Sequence, residues 1–180
     1  MKKSVLKVQM FGAYLIEYEG KPISFERNTA TKTNQLMQIL LQAGEKGVAR
    51  AKLLSDLFGD EEMSNPANSL RATVFRLRRL LAAAGLPEDE YVTIKGGSYY
   101  WTSEIPYELD AHQFEELLKK AEKENDLEKK KSYIEEACEL YRGEFLPQLG
   151  AEGWAVVLNV YYKNLFSNAM RTLCPVSYTH

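Results

Sequence analysis

The residues in this chain best suited to chemistry are arginines. The stretch SLRATVFRLRRLLAAAG, residues 69–85, carries Arg71, Arg76, Arg78 and Arg79, no acid, and one aromatic, Phe75, among the charges. A row of unpaired guanidinium groups can neutralise closely spaced phosphates and donate paired hydrogen bonds to guanine edges. At about 100° per residue, Leu70, Val74, Leu77 and Leu81 fall in one narrow sector, the face that a helix turns toward a core. The opposite sector holds Asn68, Ala72, Phe75, Arg76 and Arg79, while Arg71 and Arg78 share one flank and Thr73 lies near the other edge of the core. A face that is merely solvated interleaves acids and bases at i, i+4, as EELLKKAEKE does at residues 115–124. Here the acids are missing, and Ala72 lets a partner approach the backbone closely. Phe75 suits either a thymine methyl or a packing contact with another part of the chain.

The other reactive side chains do not assemble into a catalytic set. Glu115–Glu116 and Glu135–Glu136 are adjacent carboxylates, and adjacent residues on a helix diverge too far to share a proton. His112 follows Asp110 at a helix start, a capping position, and His180 is terminal. Cys138 and Cys174 have neither CxxC spacing nor histidine neighbours and read as small hydrophobes. GEKG and KGGS lack the GxxxxGK[ST] spacing of a phosphate loop. No enzyme, cofactor or metal is expected, and the acidic pocket of a phosphorelay receiver domain is missing too.

Several elements must position the arginine helix. SVLKVQMFGAYLIEYEGKPISF alternates apolar and polar residues and predicts a small antiparallel sheet. A first helix runs from Thr31 to glycines at 44 and 47, and a second, ARAKLLSDLF, stops at Gly59. The basic helix opens with Asn65 at the N-cap before Pro66 and closes by Gly85. YVTIKGGSYYWTS then reads as a hairpin turning at Gly96–Gly97, which places Lys95 at the turn. Sheet, three helices and hairpin is the order of a winged helix-turn-helix. Beyond residue 103 the composition becomes helical with mixed charge, and GWAVVLNVYYKNLFSNAMRTL is a far more apolar helix. That helix wants neighbours on more than one face. It should pack on the winged helix, pack on another copy, or expose surface, unless it is simply a core helix.

The net charge of −2 hides an asymmetry. Residues 1–101 hold 14 Lys/Arg against 11 Asp/Glu, a balance of +3, and residues 102–180 hold 9 against 14, a balance of −5. The basic excess lies with the arginine helix. No apolar run approaches the roughly 20 residues that span a bilayer, and the lysine-led start alternates instead of forming a signal core. A cytoplasmic protein with no membrane partner is expected.

At these residues the chain resembles a known family. LLSDLFGDEEMSNPANSLRATVFRLRRLLAAAG followed by VTIKGGSYYW looks like the OmpR-type winged-helix domain of the antibiotic-regulatory-protein (SARP) family of bacterial transcription regulators, with LFGD, ANSLR and RLRRLL its most specific pieces. The stretch from YELDAHQFEELLKKA through CELYRGEFLPQL to EGWAVVLNVYYKNL resembles the TPR-like bacterial transcriptional activation domain (BTAD) of that family. The resemblance implies an α+β winged helix over residues 1–103, an all-α helical domain over 104–173 and a loose tail over 174–180. It implies that Pro66 to Ala84 is the recognition helix, with Asn68, Thr73, Phe75 and Arg76 at positions used for base or phosphate contact, Arg78 and Arg79 near the backbone, and Thr93 and Lys95 on the wing. Ser98, where relatives often have a glycine, and Thr73 and Phe75, where they have more polar or basic residues, depart from the pattern. The helical region is also shorter than in relatives and looks truncated.

Two readings follow. In the first, the chain binds double-stranded DNA sequence-specifically through Asn68, Arg71, Ala72, Thr73, Phe75, Arg76, Arg78, Arg79, Thr93 and Lys95, while the helical domain engages RNA polymerase or a second copy on repeated half-sites. In the second it is a protein-interaction scaffold. A positive band across helix and hairpin favours DNA, and a patch interrupted by Glu88, Asp89 and Glu90 favours a protein.

Overall fold

In a computed structural model of the chain, residues 4–24, 30–59 and 64–174 are described. Almost all of the expected tail, residues 175–180, and the end of the LFGD element lie outside them. The fold is α+β, with small sheets and six α-helices among the described residues. The chain divides into two compact units, one of residues 1–7 and 15–107, the other of residues 8–14 and 108–180. The split differs from the expected boundary at 103 in one informative way: residues 8–14 leave the first unit for the second.

Short strands β1 (Leu6–Gln9), β2 (Leu15–Tyr18) and β3 (Lys21–Ile23) follow the alternation read from the sequence, and β7 (Tyr107–Leu109) completes a sheet ordered β3-β2-β1-β7. Between them come α1 (Lys32–Ala43), β4 (Val48–Ala49), α2 (Arg50–Phe58) and α3 (Pro66–Ala83), then β5 (Tyr91–Lys95) and β6 (Ser98–Thr102). Strands β4, β6 and β5 form a second sheet in that order, with Val48 opposite Tyr99 and Lys95 opposite Ser98. The first unit's core is built from Leu36, Leu40, Leu53, Leu57, Leu70, Leu77 and Leu81, all essentially inaccessible. At Gly47 the backbone has φ +65, and a Cβ there would enter the Tyr100 ring. Gly47→Ala should therefore destabilise the first unit by about 1–3 kcal/mol, from left-handed backbone and steric overlap together, read as a lower urea midpoint.

The second unit contains α4 (Asp110–Lys123), α5 (Leu127–Leu140) and α6 (Gly153–Leu173), with Ala121, Ile134 and Ala169 in one shared core. Its other core centres on Phe11, whose ring meets Phe114, Tyr141, Phe145 and Tyr162 at centroid distances of 5.4, 4.9, 6.3 and 5.2 Å. Asp110 fixes that segment: its carboxylate accepts the Met10 and Phe11 N–H groups at 2.9 and 3.0 Å and its own neighbour's, Ala111, at 2.8 Å. Burial pushes the Asp110 carboxyl above the usual carboxylate range, against the pull of those donors and of Arg142. Gly12 and Gly143 pass so closely that a Cβ on Gly143 would sit 2.9 Å from the Gly12 Cα. α6 buries Trp154, Ala155, Tyr162 and Ala169 but leaves Val156, Val157, Val160 and Tyr161 exposed, Val157 by 69 %. It is not a fully buried core helix, because these four side chains on two successive turns remain 40–69 % exposed.

Candidate nucleic-acid interface

Helix α3 is cut to length by its ends. The Asn65 side chain accepts the Asn68 N–H at 3.2 Å and Pro66 occupies the first turn, the arrangement that satisfies otherwise unpaired donors at a helix start. Gly85, at φ +90, ends it, with the Leu86 N–H returning to the Leu81 carbonyl at 3.2 Å. Leu70, Val74, Leu77 and Leu81 are buried as the spacing requires, which fixes the helix about its own axis. Asn68, Arg71, Ala72, Phe75, Arg76 and Arg79 are all exposed on the remaining surface. Phe75 is 59 % exposed, and the Arg79 guanidinium lies 5.8 Å from its ring centroid. A shallow groove of about 490 Å³ runs along Arg76, Arg79, Leu80, Ala82 and Ala83.

A second cluster of positive charge forms at the hairpin turn. Gly96 and Gly97 both have positive φ, +58 and +77, as a two-residue turn matching the strand twist demands. Lys95 is exposed beside it. The Arg50 N–H donates to the Gly97 carbonyl at 3.1 Å, so the start of α2 is tied to the same turn. Ala49 and Lys95 flank Ser98 on β6 from either side, which places their backbones about 10 Å apart at the usual strand spacing. Exposed Arg50 thus joins Lys95. Sequence reading passed over Arg50 because the two-residue strand that carries it to the turn has no periodicity to detect.

The opposite end of the hairpin is acidic. Tyr91 pairs with Thr102 and Lys95 with Ser98, so the base lies about 13 Å from the turn at the usual strand rise. Asp89 links the two chain segments there, accepting the Glu90 N–H at 2.7 Å and the Glu104 N–H at 3.0 Å. Burial works to raise the Asp89 carboxyl, but these amides and the Ser103 side chain outweigh it and hold it below the usual carboxylate range. Tyr91, held at φ +58, donates its hydroxyl to the Pro87 carbonyl and packs on Trp101 at 5.4 Å. Burial first, then the Asp89 and Tyr18 charges, push the Tyr91 phenol up to about 12. Glu88 and Glu90 therefore interrupt the basic surface at the hairpin base and not at its tip.

Protein RcaC of Microchaete diplosiphon is 28% identical to this chain over 120 residues, which are 62% of this chain and 18% of RcaC. Mycobacterium tuberculosis EmbR, solved in complex with a low-affinity phosphopeptide, superimposes with a TM-score of 0.76 at 16% identity over 97% of this chain and 45% of that one. The fold is that of EmbR. The chain spans less than half the length of either protein. No known family pattern matches the sequence.

Within this fold the expected site residues separate. Asn68, Arg71, Ala72, Phe75, Arg76 and Arg79 share the exposed surface of α3, and Lys95 is exposed at the hairpin turn. Three others do not join them. Thr73 is only 4 % exposed and its hydroxyl donates to the Ser69 carbonyl at 2.8 Å, one turn back, so it lines the core edge and not the exposed face. The Thr93 hydroxyl pairs with Thr102 in the cleft bordered by Asp89, Glu90 and Glu104, surroundings that repel phosphate. Arg78 donates through Nε to the Glu90 carbonyl at 2.8 Å and through Nη2 to the Val92 carbonyl at 2.7 Å, clamping α3 to β5. Arg78→Met should cost about 1–3 kcal/mol of stability, the usual worth of charge-assisted hydrogen bonds, in urea unfolding. The salt dependence of any DNA binding should stay unchanged. Among the described residues no helix is long and apolar enough to cross a membrane, and no group of three or more His, Cys, Asp or Glu is placed to hold a metal.

Proposed function

We propose that this chain is a SARP-like bacterial transcription regulator that binds double-stranded DNA sequence-specifically. Helix α3 lies in the major groove, and the β5–β6 hairpin acts as a wing whose tip meets the backbone or minor groove. The carrying observation is the exposed face of α3, where Arg71, Arg76 and Arg79 stand with Asn68 and Ala72 and no acid occurs along the helix. Arg50 and Lys95 supply charge at the tip, about 13 Å from the acids at the hairpin base. That exceeds the screening length of about 10 Å at 0.1 M salt. On this reading the first unit is an OmpR-type winged helix, the second is part of a TPR-like activation domain, and the protein works in the cytoplasm.

Selection of bound duplexes from a random pool tests this reading. A common motif a few base pairs long supports groove reading. Recovery of a pool no different from the input contradicts it.

A second reading, a docking scaffold for RNA polymerase or another copy of the chain, is favoured by the exposed Val156, Val157, Val160 and Tyr161 on α6. The two are compatible, because the arginine face and α6 belong to different units.

A further inference from the structure

The outward surface of α3 is not uniform. At about 100° per residue, Asn68, Ala72, Phe75 and Arg79 fall within a sector about 60° wide that faces away from the buried stripe of Leu70, Val74, Leu77 and Leu81. Arg71 and Arg76 stand about 70° to either side of the centre of that sector. All six outward residues are exposed, and neither flanking arginine makes an ion pair among the described residues. Arg78, farther round, is already held by the Glu90 and Val92 carbonyls.

The dimensions of duplex DNA give the central stripe and its flanks different partners. A helix with its side chains is about 10–12 Å across, and the major groove is about 12 Å wide and about 8.5 Å deep. A helix seated there with its core side outward aims the middle of its exposed face at base edges and its flanks at the phosphate walls. The Phe75 ring offers no hydrogen bond, and the apolar feature of a base edge is the thymine methyl. The commonest base contact of arginine is the O6 and N7 pair of guanine. Phe75 is 59 % exposed and the Arg79 guanidinium lies 5.8 Å from its ring centroid, so the two side chains reach out as one unit. Their partners then belong to neighbouring base pairs.

We propose, resting on the DNA-binding reading, that Phe75 and Arg79 are the specificity-determining pair of α3. The ring covers a thymine methyl, and the guanidinium bonds O6 and N7 of a guanine in the adjoining base pair. Arg71 and Arg76 grip phosphates on the two sides of the groove. The family resemblance instead puts Arg79 near the DNA backbone, and its place in the middle of the outward stripe argues for a base.

The test takes the duplex motif recovered by selection from a random pool and measures affinity of the whole chain by anisotropy. Each thymine in turn is replaced by uracil, which removes only the methyl, and each guanine by 7-deazaguanine, which removes only the N7 acceptor. One uracil position should weaken binding about fourfold, the worth of one buried methyl. Deazaguanine in the adjoining pair should weaken it about fivefold, the low end for a bidentate contact. F75A should erase the first effect and R79A the second, because each variant has already lost that contact. R76A should weaken binding to every duplex by the same factor and make the slope of log affinity against log salt shallower by about 0.9, whereas R79A should leave the slope unchanged. All three altered side chains are exposed, so the variants retain the fold. A motif with no thymine beside a guanine, uracil or deazaguanine effects that persist in F75A or R79A, or a slope made shallower by R79A and not by R76A, would overturn the assignment and leave the DNA reading standing. A pool without any motif would overturn both.

Discussion

On the proposed reading, replacing Arg76 and Arg79 together with alanine should weaken duplex binding by about 2–6 kcal/mol if both reach base edges, at about 1–3 kcal/mol each, and by less if they meet phosphate. Even the lower end is about 30-fold in affinity. The effect should be large because both guanidinium groups stand on the face opposite the buried stripe of Leu70, Val74, Leu77 and Leu81, with no carboxylate on the helix to neutralise them. The single variants divide the roles. If Arg76 reads a base edge, Arg76→Ala relaxes the preference at one position of the selected motif. If it meets phosphate, affinity falls by the same factor on every sequence. Arg79 lies over the exposed Phe75 ring, so Phe75→Ala should also alter how Arg79 is held. The measurement is anisotropy titration of labelled duplex with each variant at one fixed salt concentration.

Phe11→Ala should destabilise the second unit by about 3–5 kcal/mol, the usual cost of removing a fully buried phenyl ring. Phe11 is completely inaccessible and touches four aromatic rings from three separate stretches of chain. Edge-on contacts of this kind add to the area buried. Domain stabilities are about 5–15 kcal/mol, so the substitution removes a large share of the total. Urea unfolding followed by near-ultraviolet circular dichroism should show the aromatic signal of the second unit lost at markedly lower denaturant. A change no larger than that of an exposed substitution such as Leu127→Ala would contradict the central place given to Phe11.

What was legible in the sequence was what local chemistry decides. The Asn65 cap, Pro66 in the first turn, the leucine stripe and Gly85 defined α3 within a residue, and paired glycines at 96 and 97 defined the hairpin. What was not legible depended on partners distant in sequence. The alternation through residues 8–14 looks the same in either unit. Only the Asp110 carboxylate, about 100 positions along, gives the Met10 and Phe11 amides their acceptor. Arg78 sits on the flank of a basic helix like its neighbours, and nothing local reveals that the Glu90 and Val92 carbonyls will hold it. Thr73 was placed at the edge of the core, where a few degrees of helix rotation decide between burial and contact. The apolar content of α6 was plain, but whether its surplus would be covered was a question about neighbours.

The central claim is that α3 and the hairpin tip present an electrostatic surface for duplex DNA. It is tested most directly by the slope of log affinity against log salt, measured on duplex DNA with the unaltered chain and with the Arg76→Ala/Arg79→Ala variant. Neutralised phosphates each contribute about −0.9 to this slope. Contacts from Arg50, Arg71, Arg76, Arg79 and Lys95 therefore predict a slope of about −3 to −5 for the unaltered chain, shallower by about 2 in the variant if both arginines meet phosphate and by less if either reads a base. Absence of salt-dependent binding even at low ionic strength, or the same slope and affinity in the variant as in the unaltered chain, would contradict it.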